Sequence, residues 1–526
     1  MPLNPSNNGK MAWPLEINLS RRIAGQSIWQ QCGHLFFAGK AFYKGKVLSL
    51  EELESGLRTA RCAEEVRQIL RQLNGSFALA YKSATTSVAA VDVVRSIPLF
   101  YGNLTSGGAI FDQNPIALTT RDGLKLLHAY WPKIEFLPDT LTATPRHALL
   151  PGEFVFQERP KPAQRHRYYL HSLSPGNDHY QHYFEHFAAT IDRMQHRLVT
   201  LLAGRTAVVP LSGGFDSRFI LAMLHKAGYP SVQAYTYGRP DGHEQHVAHR
   251  VAAQLDIPWR FIPYDEQLLA SAAEDDFLHF FHFASNAQAL AQEQDYFALK
   301  ALKSSLPTDA VFLPGFCGDL QAGSYLPDQF YRKKWEKKPE LAASYCANRL
   351  ARFEEVPKAF PGYLWQATGH YEAFYGLLER WMIEEKVSKY VVNAVRAFEY
   401  FGFQWLLPLW DREFVDFWKQ VPLAYRRDKR LYRDVLNTVL FHPLNIGFAP
   451  GGFDQHFQSG NTATRLRYLL PRPLKSALKS MLIPKQEHQI NNLNMLEPIL
   501  LGQRQGLPVN EVMARWYLKH LDNLKA

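Results

Sequence analysis

The sequence predicts a two-domain protein of mixed class. A β-rich α+β sandwich comes first, and an α/β domain on a doubly wound parallel sheet with a helical C-terminal part follows. Three observations carry this. Before residue 157, short apolar strand-like runs are separated by Gly, Asn, Thr and Ser turns. After residue 206, strand and helix signals alternate, the pattern of a parallel sheet with crossover helices. Between them, Val208-Val209-Pro210-Leu211 ends in Ser212-Gly213-Gly214-Phe215-Asp216-Ser217, and an apolar helix-like stretch over 219–224 follows. The expected domains are 1–156 and 180–526, with a linker over 157–179.

In chain order, strands are expected over 34–42, 73–81, 87–94, 99–101 and 109–112, and one helix over 50–73, where apolar residues recur at three and four. The Pro-, Gly- and Ser-rich stretch 157–178 reads as linker. An amphipathic helix over 180–202 leads into the strand at 208. A strand over 232–237 ends at Gly238, a helix over 244–255 packs through Ala248, Ala252 and Ala253, and a strand over 259–264 follows. Another apolar run, Val311-Phe312-Leu313, ends in Pro314-Gly315-Phe316-Cys317-Gly318-Asp319. Residues 387–440 read as largely helical, and 516–521 as a closing helix.

The chemistry concentrates at 212–217. Adjacent glycines let an anion approach the backbone without a Cβ in the way. N–H groups at a helix start point at phosphate, and Ser212 and Ser217 add hydroxyl donors. Asp216 repels phosphate, so its expected partner is the accompanying Mg²⁺. No Gly-Lys-Ser/Thr follows, so this is not a Walker-type loop. The plain alternative is a strand–helix turn. Gly315 and Asp319 end a second strand in the same way, with a helix-capping Asp319 as the alternative.

Composition bounds the rest. Of 526 residues, 46% are hydrophobic and 21% charged, which is globular and enough for more than one core. Cys32, Cys62, Cys317 and Cys346 lie far apart, without metal or redox spacing, which fits a reducing, cytoplasmic compartment. The polar opening residues lack a signal peptide's apolar core, and no apolar run approaches the ~18 residues of a membrane span. The net charge of +10 is modest and fits a solvated basic face. Nucleic acid is an unlikely partner even for the basic, aromatic stretch 331–338, because Glu336 and Glu340 interrupt its charge. Pro471, Pro473 and Pro484 likewise argue against a membrane-surface helix in the basic C-terminal stretch.

The Ser212–Ser217 run resembles the pyrophosphate loop of PP-loop ATP pyrophosphatases. Asn74-Gly75-Ser76-Phe77-Ala78, Asp92 to Tyr101 and Pro151-Gly152-Glu153 look like the amidotransferase domain of asparagine synthetases. The resemblance implies ATP and Mg²⁺ as cofactors. It places pyrophosphate on Ser212, Gly213, Gly214 and Ser217, Mg²⁺ on Asp216 and Asp319, and adenosine against Leu211, Tyr237, Pro314 and Gly315. It makes Glu399 a candidate acid facing the second substrate, with an ion pair to Arg396 as the alternative, and Asp411 a helix cap. The family's loop lysine has no counterpart near 445–453, so Lys429, Arg430 or Arg433 is the expected substitute. Leu320 replaces the family's Glu, and Pro314 its Ser. Residue 2 is Pro where glutamine-hydrolysing members carry their nucleophilic Cys, and Cys32-Gly33 would serve only after cleavage. The implied function is ATP-dependent, AMP-forming amide ligation through an acyl-adenylate, without intrinsic glutaminase activity. It joins a small-molecule or peptide carboxylate to an amine or ammonia, as in lasso-peptide and β-lactam cyclases. Asparagine synthesis would need ammonia or a partner protein supplying it. A non-catalytic ATP-binding scaffold and a PP-loop tRNA-modifying enzyme are the alternatives.

Overall fold

The computed structural model describes residues 15–23, 25–102, 108–113, 121–132, 135–137, 146–324, 375–376, 379–447 and 492–523. Its N-terminal strands are β1 (Glu16–Asn18), β2 (Arg22–Ile23), β3 (Gln26–Ser27), β4 (Gln30–Cys32), β5 (Leu35–Tyr43) and β6 (Lys46–Val47). Then come β7 (Leu73–Lys82), β8 (Thr86–Val91), β9 (Phe100–Gly102), β10 (Ala109–Phe111), β11 (Arg146–Ala148), β12 (Glu153–Glu158) and β13 (Gln164–Arg167). One antiparallel sheet runs β13-β12-β8-β7-β5-β4 with β6 on β5, and a second runs β1-β10-β9-β11. Small side chains let the two sheets close on each other. Ala38 pairs with Ala78 and Ala80 with Ala89, so alternate positions of β5, β7 and β8 present Ala38, Ala78, Ala89 and Val91 to one core. Leu99, Tyr101 and Ile110 fill it from the second sheet. The opposite face buries Leu35, Phe37, Leu79 and Tyr81 with residues of two helices, α1 (Leu50–Thr59) and α2 (Ala63–Leu70).

The single helix expected over 50–73 is therefore two. Ser49 caps α1, its Oγ accepting from Glu52 N at 3.2 Å, and the chain turns extended at Ala60 and Cys62. Both helices bury the same face, through Leu53, Leu57, Val66 and Leu70, so the periodicity runs across a break it cannot register. The expected linker contains β13, which pairs with β12 along four residues, and buried Tyr168 and Tyr169 after it. Polar, proline-bearing sequence here marks an edge strand rather than free chain.

The second domain opens with α4 (Tyr180–Leu202), after α3 (Arg121–Tyr130) of the first. Phe187, Ile191, Met194, Leu198 and Leu202 face the core, and left-handed Ala203 and Gly204 end the helix. The sheet strands are β14 (Ala207–Pro210), β15 (Val232–Gly238), β16 (Trp259–Pro263), β17 (Val311–Phe312) and β18 (Gln404–Trp405). All pair in parallel, in the order β16-β15-β14-β17-β18. The helices between them are α5 (Phe215–Lys226), α6 (His243–Gln254), α7 (Glu266–Ala270), α8 (Asp275–Ser285) and α9 (Gln294–Leu302). From β14 the chain grows outward through β15 and β16, then returns to β14's other side as β17. The strand order thus reverses between β14 and β17, and in such sheets ligands bind at the carboxyl ends flanking that reversal. The two glycine-bearing runs of the sequence leave those ends.

Beyond β17 the described chain is mostly short helical segments, with β18 inside the region expected to be helical. Val509–Asn523 closes the fold, stacking Trp516 on Phe277 at 5.2 Å. The domains share a seam. Asn74 Nδ2 donates to Asp411 Oδ2 at 3.2 Å, Arg412 N donates to Asn74 Oδ1 at 2.9 Å, and Arg396 Nη2 donates to Ser96 O at 2.6 Å. Asp411 caps its helix as expected, accepting from Glu413 N at 3.0 Å. Among the described residues no helix is long and apolar enough to cross a membrane. The basic stretches 331–338 and 465–485 lie outside the described residues.

Candidate active site

Leu211 closes β14. Its N–H donates to Tyr235 O at 2.8 Å and its carbonyl accepts from Thr236 Oγ1 at 2.6 Å, leaving its side chain in the core. The chain then turns through Ser212, Gly213 and Gly214 into α5. Ser212 N donates to Ser217 Oγ at 3.1 Å, the two serine hydroxyls lie 3.1 Å apart, and Gly214 N donates to Ser212 Oγ at 3.2 Å. Both hydroxyls and a loop N–H therefore converge on one point at the start of a twelve-residue helix. Neither glycine has a positive φ. A Cβ on Gly213 would meet Val247 at an ordinary 3.5 Å, and one on Gly214 only the Ser212 hydroxyl at 3.3 Å. The fold itself asks little of glycine at either position.

Gly315 differs. A Cβ there would stand 2.9 Å from Ser217 N and 3.1 Å from Asp216 Cβ, so the β17 loop lies directly against the first turn of α5. Pro314 before it is buried. This contact brings together Asp216 and Asp319, expected as a metal pair. Asp319 N donates to Asp216 Oδ2 at 3.1 Å and Tyr432 Oη to Asp216 Oδ1 at 2.7 Å. Burial and the neighbouring Asp319 carboxylate push Asp216 up to about 7, against the opposing pull of Tyr432, the Asp319 N–H and Lys429. A bound cation would favour the charged form of a carboxylate raised in this way. Hard oxygen donors suit Mg²⁺, which takes one or two carboxylates and completes its shell with water and phosphate oxygens. Among the described residues no group of three or more His, Cys, Asp or Glu gathers into a fuller metal cage.

Residues 199–442 match the family model for asparagine synthase. This segment is an asparagine synthetase-like domain. The family is one of ATP-dependent amide-forming ligases, and the matched span holds both loops, Asp216, Asp319 and Tyr432. No curated protein matches the chain. Among solved structures, one titled as the allosteric regulatory enzyme of purine biosynthesis is 12% identical, covering 53% of this chain and 54% of that one, with a TM-score of 0.17. Glutamine phosphoribosylpyrophosphate amidotransferase from B. subtilis, complexed with ADP and GMP, is 12% identical, covering 54% and 62%, with a TM-score of 0.18. The chain thus spans between about half and three-fifths of those structures' lengths.

Within the synthetase-like domain, Lys429 comes to the loop. Its Nζ lies 5.9 Å from the Phe215 ring centre, and its charge acts on Asp216. Tyr237 stacks on Tyr264 with centroids 5.0 Å apart, at the end of β15 beside the loop. Glu399 requires a correction. Instead of facing a substrate, it is 2% exposed in the seam. Its Oε2 pairs with Arg21 and Arg396, each at 2.8 Å, and Oε1 accepts from Trp405 Nε1 at 3.0 Å. The weighed pair with Arg396 is present, and Arg21 from the sandwich completes it. Cys32 sits in β4, where burial and the charges of Glu51 and Glu54 push its thiol up, opposite to what a nucleophile requires. Of the lysine-less stretch 445–453, residues 448–453 lie outside the described residues.

Two residues emerge only in three dimensions. Tyr432 is wholly buried, yet its hydroxyl reaches Asp216. Arg218, one turn into α5, donates Nη2 to Gly213 O at 2.9 Å and Nη1 to Ile446 O at 3.1 Å. It lies against the Phe215 and Phe441 rings at 5.6 and 5.3 Å. The only sequence signal for Arg218 is a charge opening an apolar helix.

Proposed function

We propose that the chain activates a carboxylate with ATP, releasing pyrophosphate and forming an acyl-adenylate, which an amine or ammonia then converts to an amide with release of AMP. The observation that carries this is the joining of Asp216 to the Asp319 N–H across the strand-order reversal, with the Ser212, Gly214 and Ser217 donors beside it. Ser212, Gly213, Gly214 and Ser217 would hold the pyrophosphate, and the start of α5 favours that negative charge. Asp216 and Asp319 would hold Mg²⁺, which when bound offsets charge on the phosphates. Leu211, Tyr237, Pro314 and Gly315 would line the adenosine. Leu211, with its N–H and carbonyl both engaged and its side chain in the core, would back that pocket rather than touch the base. Lys429 would place positive charge near the α-phosphate, where negative charge builds as the carboxylate attacks. Arg218 fixes the Gly213 carbonyl and so positions the loop without touching substrate.

Nitrogen would come from ammonia or an amine within a larger substrate. The N-terminal sandwich would then be a docking or structural element on an amidotransferase-like plan. The cytoplasm is the proposed compartment. The test incubates the protein with Mg·ATP, pools of carboxylates and ammonium or amines, and identifies the nucleotide product. AMP dependent on a carboxylate and lost in Asp216→Asn supports the reading. Formation of ADP would overturn it, and glutamate release from glutamine alone would overturn the nitrogen source.

A further inference from the structure

Next to the nucleotide loop, at the carboxyl end of β15, two carboxyl groups are buried with no counter-ion among the described residues. Glu293 is 3% exposed and Asp295 7%, and both precede or open α9. Asp295 has phenolic partners: Tyr235 Oη donates to Oδ1 at 3.0 Å, and the Tyr237 hydroxyl also bonds it. Glu293 has none. Among the described residues its carboxylate bonds only its own main-chain N–H, and no Lys or Arg faces either acid. Its charge instead acts on Tyr237, Tyr264 and Tyr390, which come from three separate elements. Tyr264 Oη already donates to Gln294 O, and Tyr390 Oη lies 3.5 Å from Asn510 Oδ1, so neither is turned to Glu293. Tyr237 and Tyr390 are themselves partly exposed.

Burying a carboxylate without a partner is costly, and a fold retains one where a ligand supplies the missing charge. We propose that Glu293, backed by Asp295, is a subsite for an ammonium group on one of the two substrates. The Tyr390 phenol, on which the Glu293 charge acts, suits such a cation. The subsite lies one strand from Ser212, since β15 pairs with β14 in register through Tyr235 and Pro210. An ammonium held there would lie one strand away from the loop proposed for the phosphates. The proposal rests on the ligase reading for its place in the reaction. Two sources share this chemistry: the attacking amine before it loses its proton, and an ammonium carried by the carboxylate substrate.

The test is calorimetric titration at pH 8 of wild type, Glu293→Gln and Asp295→Asn, with and without Mg·ATP, the folding of each variant being checked by thermal unfolding. The probes are n-butylamine, 4-aminobutanoate and, as the uncharged control, n-butanol. Wild type is expected to bind an ammonium probe at least about ten-fold more tightly than butanol, and Glu293→Gln to lose that preference while keeping its Mg·ATP affinity. Tighter binding of butylamine assigns the site to the nucleophile, and tighter binding of 4-aminobutanoate to the acyl substrate. Equal binding of butanol and the amines, no amine binding at millimolar concentration, or an unchanged preference in Glu293→Gln overturns the proposal. So does loss of Mg·ATP affinity in Glu293→Gln, which would place Glu293 in the nucleotide pocket. Failure of wild type to bind Mg·ATP while it still binds amine overturns the ligase reading and leaves the subsite standing.

Discussion

Replacing Gly214 by alanine separates what the loop does for folding from what it does for a ligand. At φ −79° and ψ 176° the backbone suits any residue. The added Cβ would meet only the Ser212 hydroxyl, at 3.3 Å, and that group can rotate. Gly214 is the N-cap of α5. The cap preference for glycine over alanine and the entropy gained by removing a glycine oppose each other, each worth roughly 0.5–1 kcal/mol. Thermal unfolding should therefore move by less than about 4 °C. Binding is different, because the methyl group would stand against the Ser212 hydroxyl that the Gly214 N–H already meets. Losing one or both of these donors to a phosphate, at about 1.5–3 kcal/mol each, raises the Kd for Mg·ATP between about ten-fold and ten-thousand-fold. The assay is calorimetry beside a thermal melt. A variant that binds like wild type would refute the loop as a phosphate cradle, and one destabilised by several kcal/mol would make Gly214 a structural glycine.

Four other outcomes follow from the same geometry. Gly315→Ala should cost stability, about 1–3 kcal/mol by urea titration, because its Cβ would meet Ser217 N at 2.9 Å. Tyr432→Phe removes the donor to Asp216 Oδ1, so at neutral pH more Mg²⁺ should be needed to saturate ATP binding, as read by a Mg²⁺ titration. Without ligand, stability should fall as pH rises from about 4 through about 7. Burial raises Asp216 and Glu293 to about 7 and Asp295 to about 6, so the native chain holds protons that the unfolded chain has released. Melts across that range, flattened in Glu293→Gln, check this. Glu399→Gln should lose about 3–5 kcal/mol by leaving Arg21 and Arg396 underpaired, with the Mg·ATP Kd of the folded protein unchanged.

The loop at 212–217 was legible because strand, glycines and helix are contiguous, and the alternation after it was enough for a parallel sheet. The convergence of Asp319 on Asp216 was legible only through the family resemblance, since about a hundred residues and a strand-order reversal separate them. β18 was missed because Gln404–Trp405 is too short to carry a period and sits among helices. Glu399 misled because Arg396 lies one helical turn away, whereas the partner that completes its burial, Arg21, comes from the other domain. The break between α1 and α2 was hidden because both helices serve one buried face. Tyr432 and Arg218 act across the fold, through a hydroxyl on a buried ring and a guanidinium on a carbonyl, and pattern has no access to either.

The most direct measurement is calorimetric titration of Mg·ATP into wild type and Asp216→Ala, each shown to be folded by its melt. The account predicts micromolar binding to wild type and its loss in the variant. No binding to folded wild type, or equal binding to both proteins, would contradict it and leave the asparagine synthetase-like domain as a scaffold.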